Sequence, residues 1–182
     1  SRLPSGYQEV EYLEGTGTQF IDTGLNYFAD FEVEIQLRQS VANKALGNGN
    51  YSCMHRLNAT NPYWQLMNNV TNGFATTIPI VERHIMKWKD GQIFADGVKL
   101  TDFKKDPNSG SKMLLYSATG ALSSAYPNVI YFCKLWDGSG NLVRDYVPCY
   151  RKSDNVAGLY DLVTGKLFTN AGTGSFIVGA KI

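Results

Sequence analysis

The chain has 182 residues, of which 43% are hydrophobic and 18% charged, with 17 basic residues against 16 acidic. A net charge of +1 offers no basic footprint for nucleic acid, and no apolar run approaches the ~20 residues of a membrane-spanning helix. No basic and apolar leader opens the chain, and the start at Ser1 rather than methionine predicts a piece of a longer protein.

In chain order, the first feature is EVEYLE, with Glu9, Glu11 and Glu14. Carboxylates spaced along one strand can aim at one side of a sugar, as in retaining β-glucanases, whose paired carboxyls stand ~5 Å apart. A solvated edge strand is the preferred expectation, because the middle residue is Glu rather than Asp and few aromatics flank it. Next, FEVEIQLR at 31–38 alternates Phe31, Val33, Ile35 and Leu37 with Glu32, Glu34, Gln36 and Arg38. Side chains alternate across a strand, so this predicts one apolar face and one wet face.

The segment 48–72 mixes aromatic rings with amides. Flat rings and bidentate amides suit a polyhydroxylated ligand, and the candidate ligand-binding residues are Tyr51, His55, Arg56, Asn61, Tyr63, Trp64, Asn68 and Asn69. Against that, Tyr63-Trp64-Gln65-Leu66 also reads as a half-buried strand, and structure is the preferred reading for Trp64. Sequons at Asn50, Asn58 and Asn69 are explained by the aptitude of asparagine for turns.

The stretch 84–97 predicts a hairpin. Asp90-Gly91 suits a two-residue type I′ turn, whose central positions both need positive φ. Lys89 then faces Gln92, Trp88 faces Ile93 and Met86 faces Ala95, and a second Asp-Gly at 96–97 turns the chain again. Residues 128–149 read as strand, DGSGN loop, strand, placing Cys133 opposite roughly Asp145. Shorter strands are expected near 17–23, 63–68, 74–81, 112–117, 158–163 and 174–178, with at most one helical turn at 81–86.

Recognisable chemistry is sparse. Three cysteines do not describe a disulfide framework, and all three thiols are expected to be free. Zinc would need four soft ligands in close pairs, which Cys53, Cys133, Cys149, His55 and His84 do not supply, so no metal or cofactor is expected. Asp137, Ser139 and Asn141 begin like a calcium loop but lack its later glycine and glutamate, so a polar turn is expected. Neither histidine has an obvious acidic partner in the sequence. GTGTQF and NAGTGSF lead strands, whereas a phosphate cradle opens a helix.

Three stretches carry a resemblance. MKWKDGQIFADGVKL resembles the central hairpin of laminin G-like and concanavalin A-like lectin/glucanase domains. LPSGYQEVEYLEGTGTQFIDTG at 3–24 and LVRDYVPCYRKSDNVAGLYDLVTGKLFTNAGTGSF at 142–176 look like modules of bacterial surface and phage or prophage tail-associated proteins. The resemblance implies one all-β domain over 1–182, a jelly-roll sandwich of two antiparallel sheets with the C-terminal cassette beside the N-terminal strand. It implies an extracellular, non-catalytic binding module on a bacterial surface or virion, contacting a surface glycan or other envelope component within a larger assembly, with no membrane insertion. The alternative is a purely structural, decorating module; a polysaccharide-active glycoside hydrolase is a distant third.

Overall fold

The structure is a computed structural model that describes all residues except 27–29, 40–43, 49–50, 57–62, 68–72, 106 and 118–124, with backbone alone at 44–48, 51–56 and 67. Among the described residues there is no helix. The strands are β1 (Tyr7–Glu9), β2 (Leu13–Gly15), β3 (Ile21–Asp22), β4 (Glu32–Arg38), β5 (Lys44–Asn48) and β6 (Tyr51–Arg56). They continue as β7 (Tyr63–Met67), β8 (Gly73–Pro79), β9 (His84–Lys89), β10 (Gln92–Ala95), β11 (Val98–Asp102) and β12 (Leu114–Leu115). The last are β13 (Asn128–Trp136), β14 (Leu142–Arg151), β15 (Ala157–Asp161), β16 (Lys166–Thr169) and β17 (Ile177–Val178).

An eleven-stranded sheet runs β11-β10-β9-β4-β13-β14-β15-β16, with β1, β2 and β17 joined at β13 and β14. A six-stranded sheet runs β3-β12-β5-β6-β7-β8. Every described strand pair is antiparallel. One apolar cluster takes Val33, Ile35, Leu37, Met86, Trp88 and Leu135 from the large sheet and Ile21, Trp64, Leu66 and Leu115 from the small one. Two sheets sharing one dry core is the arrangement of a β-sandwich, and each fully buried side chain of this size contributes about 1.5–3 kcal/mol.

The hairpin of β9 and β10 has the register expected from its turn: Lys89 faces Gln92, Trp88 faces Ile93 and Met86 faces Ala95. Asp90 and Gly91 both have positive φ, 53° and 73°, as do Asp96 and Gly97 at the second turn, 49° and 80°. On β4 the apolar row is buried as expected, but Glu32 on the opposite face is also buried, at 2% exposure. Its carboxylate is closed over by Lys89 at 3.1 Å and by Lys105. Burial alone would raise this carboxyl, and hydrogen bonds from Lys105, Lys89 and the Asp90 backbone more than reverse that, holding it below its ordinary range.

The β13–β14 register differs by one residue from the expected one: Cys133 faces Tyr146, and Asp145 faces Lys134. The cause is a bulge, a register shift between Leu135 and Trp136, which adds a residue on one strand. A second irregularity between Ile130 and Phe132 keeps Ile130 and Cys133 buried while Tyr131 turns out of the core. Cys133 and Cys149 are free and buried; the Cys53 side chain lies outside the described set.

The chain ends meet as expected. β17 pairs with β2, setting Ile177 against Glu14 and Val178 against Leu13. Ahead of it, Ala171 N–H donates to the Phe20 carbonyl at 2.9 Å and Thr173 N–H to the Thr18 carbonyl at 3.0 Å. The two glycine-led cassettes are each other's missing partner. A smaller apolar cluster of Leu3, Val147, Cys149 and Tyr160, with Tyr7 against it, fastens the N-terminal segment over the large sheet.

Candidate functional site

The small sheet carries the segment singled out for its rings and amides. On β7 the alternation is clean: Trp64 and Leu66 are buried at 0% and 1% exposure, while Tyr63 and Gln65 face outward and are half-buried. Thr76 on β8 donates its hydroxyl to the Trp64 carbonyl at 2.9 Å and accepts the Ile78 N–H at 3.2 Å. It thereby bridges the register shift between Tyr63 and Gln65. Ala75 and Thr77 on the same strand are exposed, leaving a low polar shelf beside the outward residues.

Trp64 is therefore a core residue and offers no stacking ring to a ligand, which corrects its place among the candidates. The reason is strand parity: Tyr63 and Trp64 are adjacent and point to opposite faces. His55 is the register partner of Gln65, Arg56 of Trp64 and Tyr51 of Asn48. Those three residues are described by backbone alone, and Asn61, Asn68 and Asn69 lie outside the described residues. Of the eight candidates, Tyr63 is the one whose described side chain faces outward.

The three N-terminal glutamates are pulled apart. Glu9 on β1 takes Arg2 Nη2 at 2.7 Å, with further bonds from Arg2 and Ser1. Burial raises its carboxyl, but the Arg2 bonds, the Arg2 charge and the Ser1 bond outweigh that and hold it below its ordinary value. Glu11 pairs with Arg83 at 3.1 Å, and Glu14 sits on β2. The interruption of the strand between β1 and β2 defeats the single-strand spacing from which a catalytic pair was considered.

Three further groupings were partly or wholly hidden in the sequence. Asp96 Oδ2 stands 2.7 Å from His84 Nδ1 while its other oxygen accepts the Ile85 N–H at 2.8 Å. The absence of an acidic partner for His84 is thus corrected: the second Asp-Gly turn folds one back from twelve positions away. Tyr131, released by its bulge, lies under the Arg83 guanidinium at 3.7 Å, accepts Arg38 Nε at 3.2 Å and meets Tyr12 edge-on. The hydrogen bond to Tyr131 raises the Arg38 guanidinium above its ordinary value. Asp137 Oδ1 accepts the Ser139 and Asn141 N–H groups at 2.9 and 3.0 Å, the bonding of a polar hairpin turn.

No protein-family description, curated protein or solved structure matches the chain.

Proposed function

We propose that the chain is a non-catalytic binding module with a concanavalin A-like jelly-roll arrangement, displayed on a phage tail or bacterial surface and recognising carbohydrate or another envelope component. The observation that carries this reading is the outward pair Tyr63 and Gln65 on β7, beside the exposed Ala75 and Thr77. A ring that offers an apolar face and a polar tip suits the C–H face of a sugar. Binding residues on a strand hold their geometry better than residues on a loop.

The arrangement of carboxylates supports the non-catalytic side. Glycoside hydrolysis needs two facing carboxyls, one with a raised pKa to act as acid. Glu9 is instead locked to Arg2 and held low, and Glu11 is committed to Arg83.

The test is retention of the chain on isolated bacterial envelopes before and after periodate, which cleaves vicinal diols. Retention that periodate abolishes supports carbohydrate recognition, and retention that survives it points to another envelope component. No retention on any envelope favours the decorating, purely structural reading.

A further inference from the structure

The 142–176 cassette supplies β14, β15 and β16 of the large sheet, and it also builds a groove. The cavity, of about 410 Å³, lies between the β14–β15 turn and the loop that follows β16. That volume is within the roughly 300–1,000 Å³ of small-molecule sites.

Both walls are fixed by internal bonds. In the turn, Asp154 takes the Arg151 guanidinium at 2.6 and 3.0 Å and the Val156 N–H at 3.2 Å. Asn155 is held in the left-handed region at φ 58°, its N–H donating to the Arg151 carbonyl at 2.8 Å. Opposite, Asn170 spends its amide completely. Its oxygen accepts Gly172 N–H at 2.7 Å and Phe20 N–H at 3.2 Å, and its nitrogen donates to the Thr173 and Gly174 carbonyls at 3.2 and 3.0 Å. A site whose walls are already ordered loses little entropy on binding.

The remaining lining groups decide the ligand class. The Asn155 side-chain amide and the Thr169 and Ser175 hydroxyls border the groove, are exposed, and make no side-chain hydrogen bond among the described residues. Gly172 and Gly174 line the groove with backbone already bonded to Asn170, and Val156, Ala157 and Phe176 add apolar surface. Asp154 is the one charged lining residue, and its charge is already met by Arg151. Two hydroxyls and an amide beside an apolar patch suit a neutral polyol. The lining offers no cation for an anionic ligand, and its carboxylate is not free to draw a cationic one.

The geometry points to this groove as a binding site for a neutral sugar residue, separate from the outward face of β7. The assignment rests on the carbohydrate reading of the module, and it adds a location and a charge class that the reading lacks.

The experiment is amide NMR of the whole chain titrated with glucose, galactose, mannose and N-acetylglucosamine, with glucuronate and inorganic phosphate as charged probes. A neutral sugar should shift amides at 154–157 and 169–176, with affinity of about millimolar order. Asn155→Gly keeps the left-handed backbone at ease while deleting the amide, and Ser175→Ala deletes an exposed hydroxyl. Each should weaken binding about tenfold, the loss of one good hydrogen bond, while Tyr63→Ala leaves the groove shifts unchanged. Shifts confined to β7 and β8 and indifferent to Asn155→Gly would sink the groove and spare the module's function. No shift with any of the four sugars, alongside periodate-sensitive retention on envelopes, would also sink it. Tighter binding of glucuronate or phosphate would overturn the charge class.

Discussion

Gly172 lies against the carbonyl oxygen of Thr18 more closely than any side chain permits: a methyl group added there would overlap that oxygen. The contact is the centre of the clasp between the N-terminal and C-terminal cassettes, flanked by the bonds from Ala171 to Phe20 and from Thr173 to Thr18.

Gly172→Ala should therefore destabilise the chain by about 1–3 kcal/mol, the range for overpacking a tight site. Gly6→Ala is the control, because a methyl there meets nothing within 4 Å. Urea midpoints for the two variants check this, and equal midpoints would remove the clasp from the account.

The two residues at the head of β7 should separate cleanly. Trp64→Ala empties a fully buried site and should cost about 3–5 kcal/mol. Trp64→Phe should cost less than Trp64→Ala, because it leaves a smaller cavity and the indole N–H it removes is buried without an acceptor among the described residues. Tyr63→Ala, on the outer face, should cost less than Trp64→Ala. Thermal melts of the three variants are the measurement, and a Tyr63→Ala loss equal to that of Trp64→Ala would contradict the assigned parity.

Acid should act through Glu9 and Glu32. Both carboxyls titrate below their ordinary 4.5 in the folded chain. Their contribution to stability is complete above the unfolded value and is lost as pH falls through the lower, folded one. Melts carried from neutral pH to below about 4 should show stability falling. In Glu32→Gln the chain should start about 1–3 kcal/mol less stable at neutral pH and show a shallower acid slope. An unchanged slope would mean that the Lys89 and Lys105 bonds carry no net stabilisation.

The thiols supply an independent check of the register. Cys133 and Cys149 are buried, and burial pushes Cys149 up to about 12 and Cys133 higher still. A thiol held protonated and covered is a poor nucleophile, so neither should react with a disulfide reagent until the chain unfolds. Cys133 and Cys149 are both free, and with the Cys53 thiol expected free as well, denatured, unreduced protein should titrate three thiols. A count of one would show two cysteines paired, and would overturn either the β13–β14 register or the placement of the middle region that carries Cys53.

Local chemistry was the legible part of this fold. Asp90-Gly91 is enough to set the register of β9 on β10, because a type I′ turn leaves one pairing that buries Met86, Trp88, Ile93 and Ala95 together. The alternation in FEVEIQLR placed Val33, Ile35 and Leu37 in the core for the same reason. Long-range effects were hidden. Nothing near Glu32 announces Lys105, seventy-three positions on, so a residue on the wet face ended up buried. The bulges at Leu135 and Ile130 moved Cys133 by one partner and freed Tyr131, and a bulge leaves no mark in a period-two pattern. In the candidate site, parity along β7 was visible and marked Trp64 as structural. The groove was not, because Asp154, Asn155, Thr169 and Ser175 converge only once the cassette has closed on Thr18 and Phe20.

The most direct test of the module's function is a glycan array probed with the wild-type chain alongside Tyr63→Ala and Asn155→Gly. Wild-type signal is expected on neutral glycans, with a loss in at least one of the two variants while both keep the wild-type melting profile. A folded wild-type chain that binds no glycan, or binds identically in all three forms, would contradict that expectation.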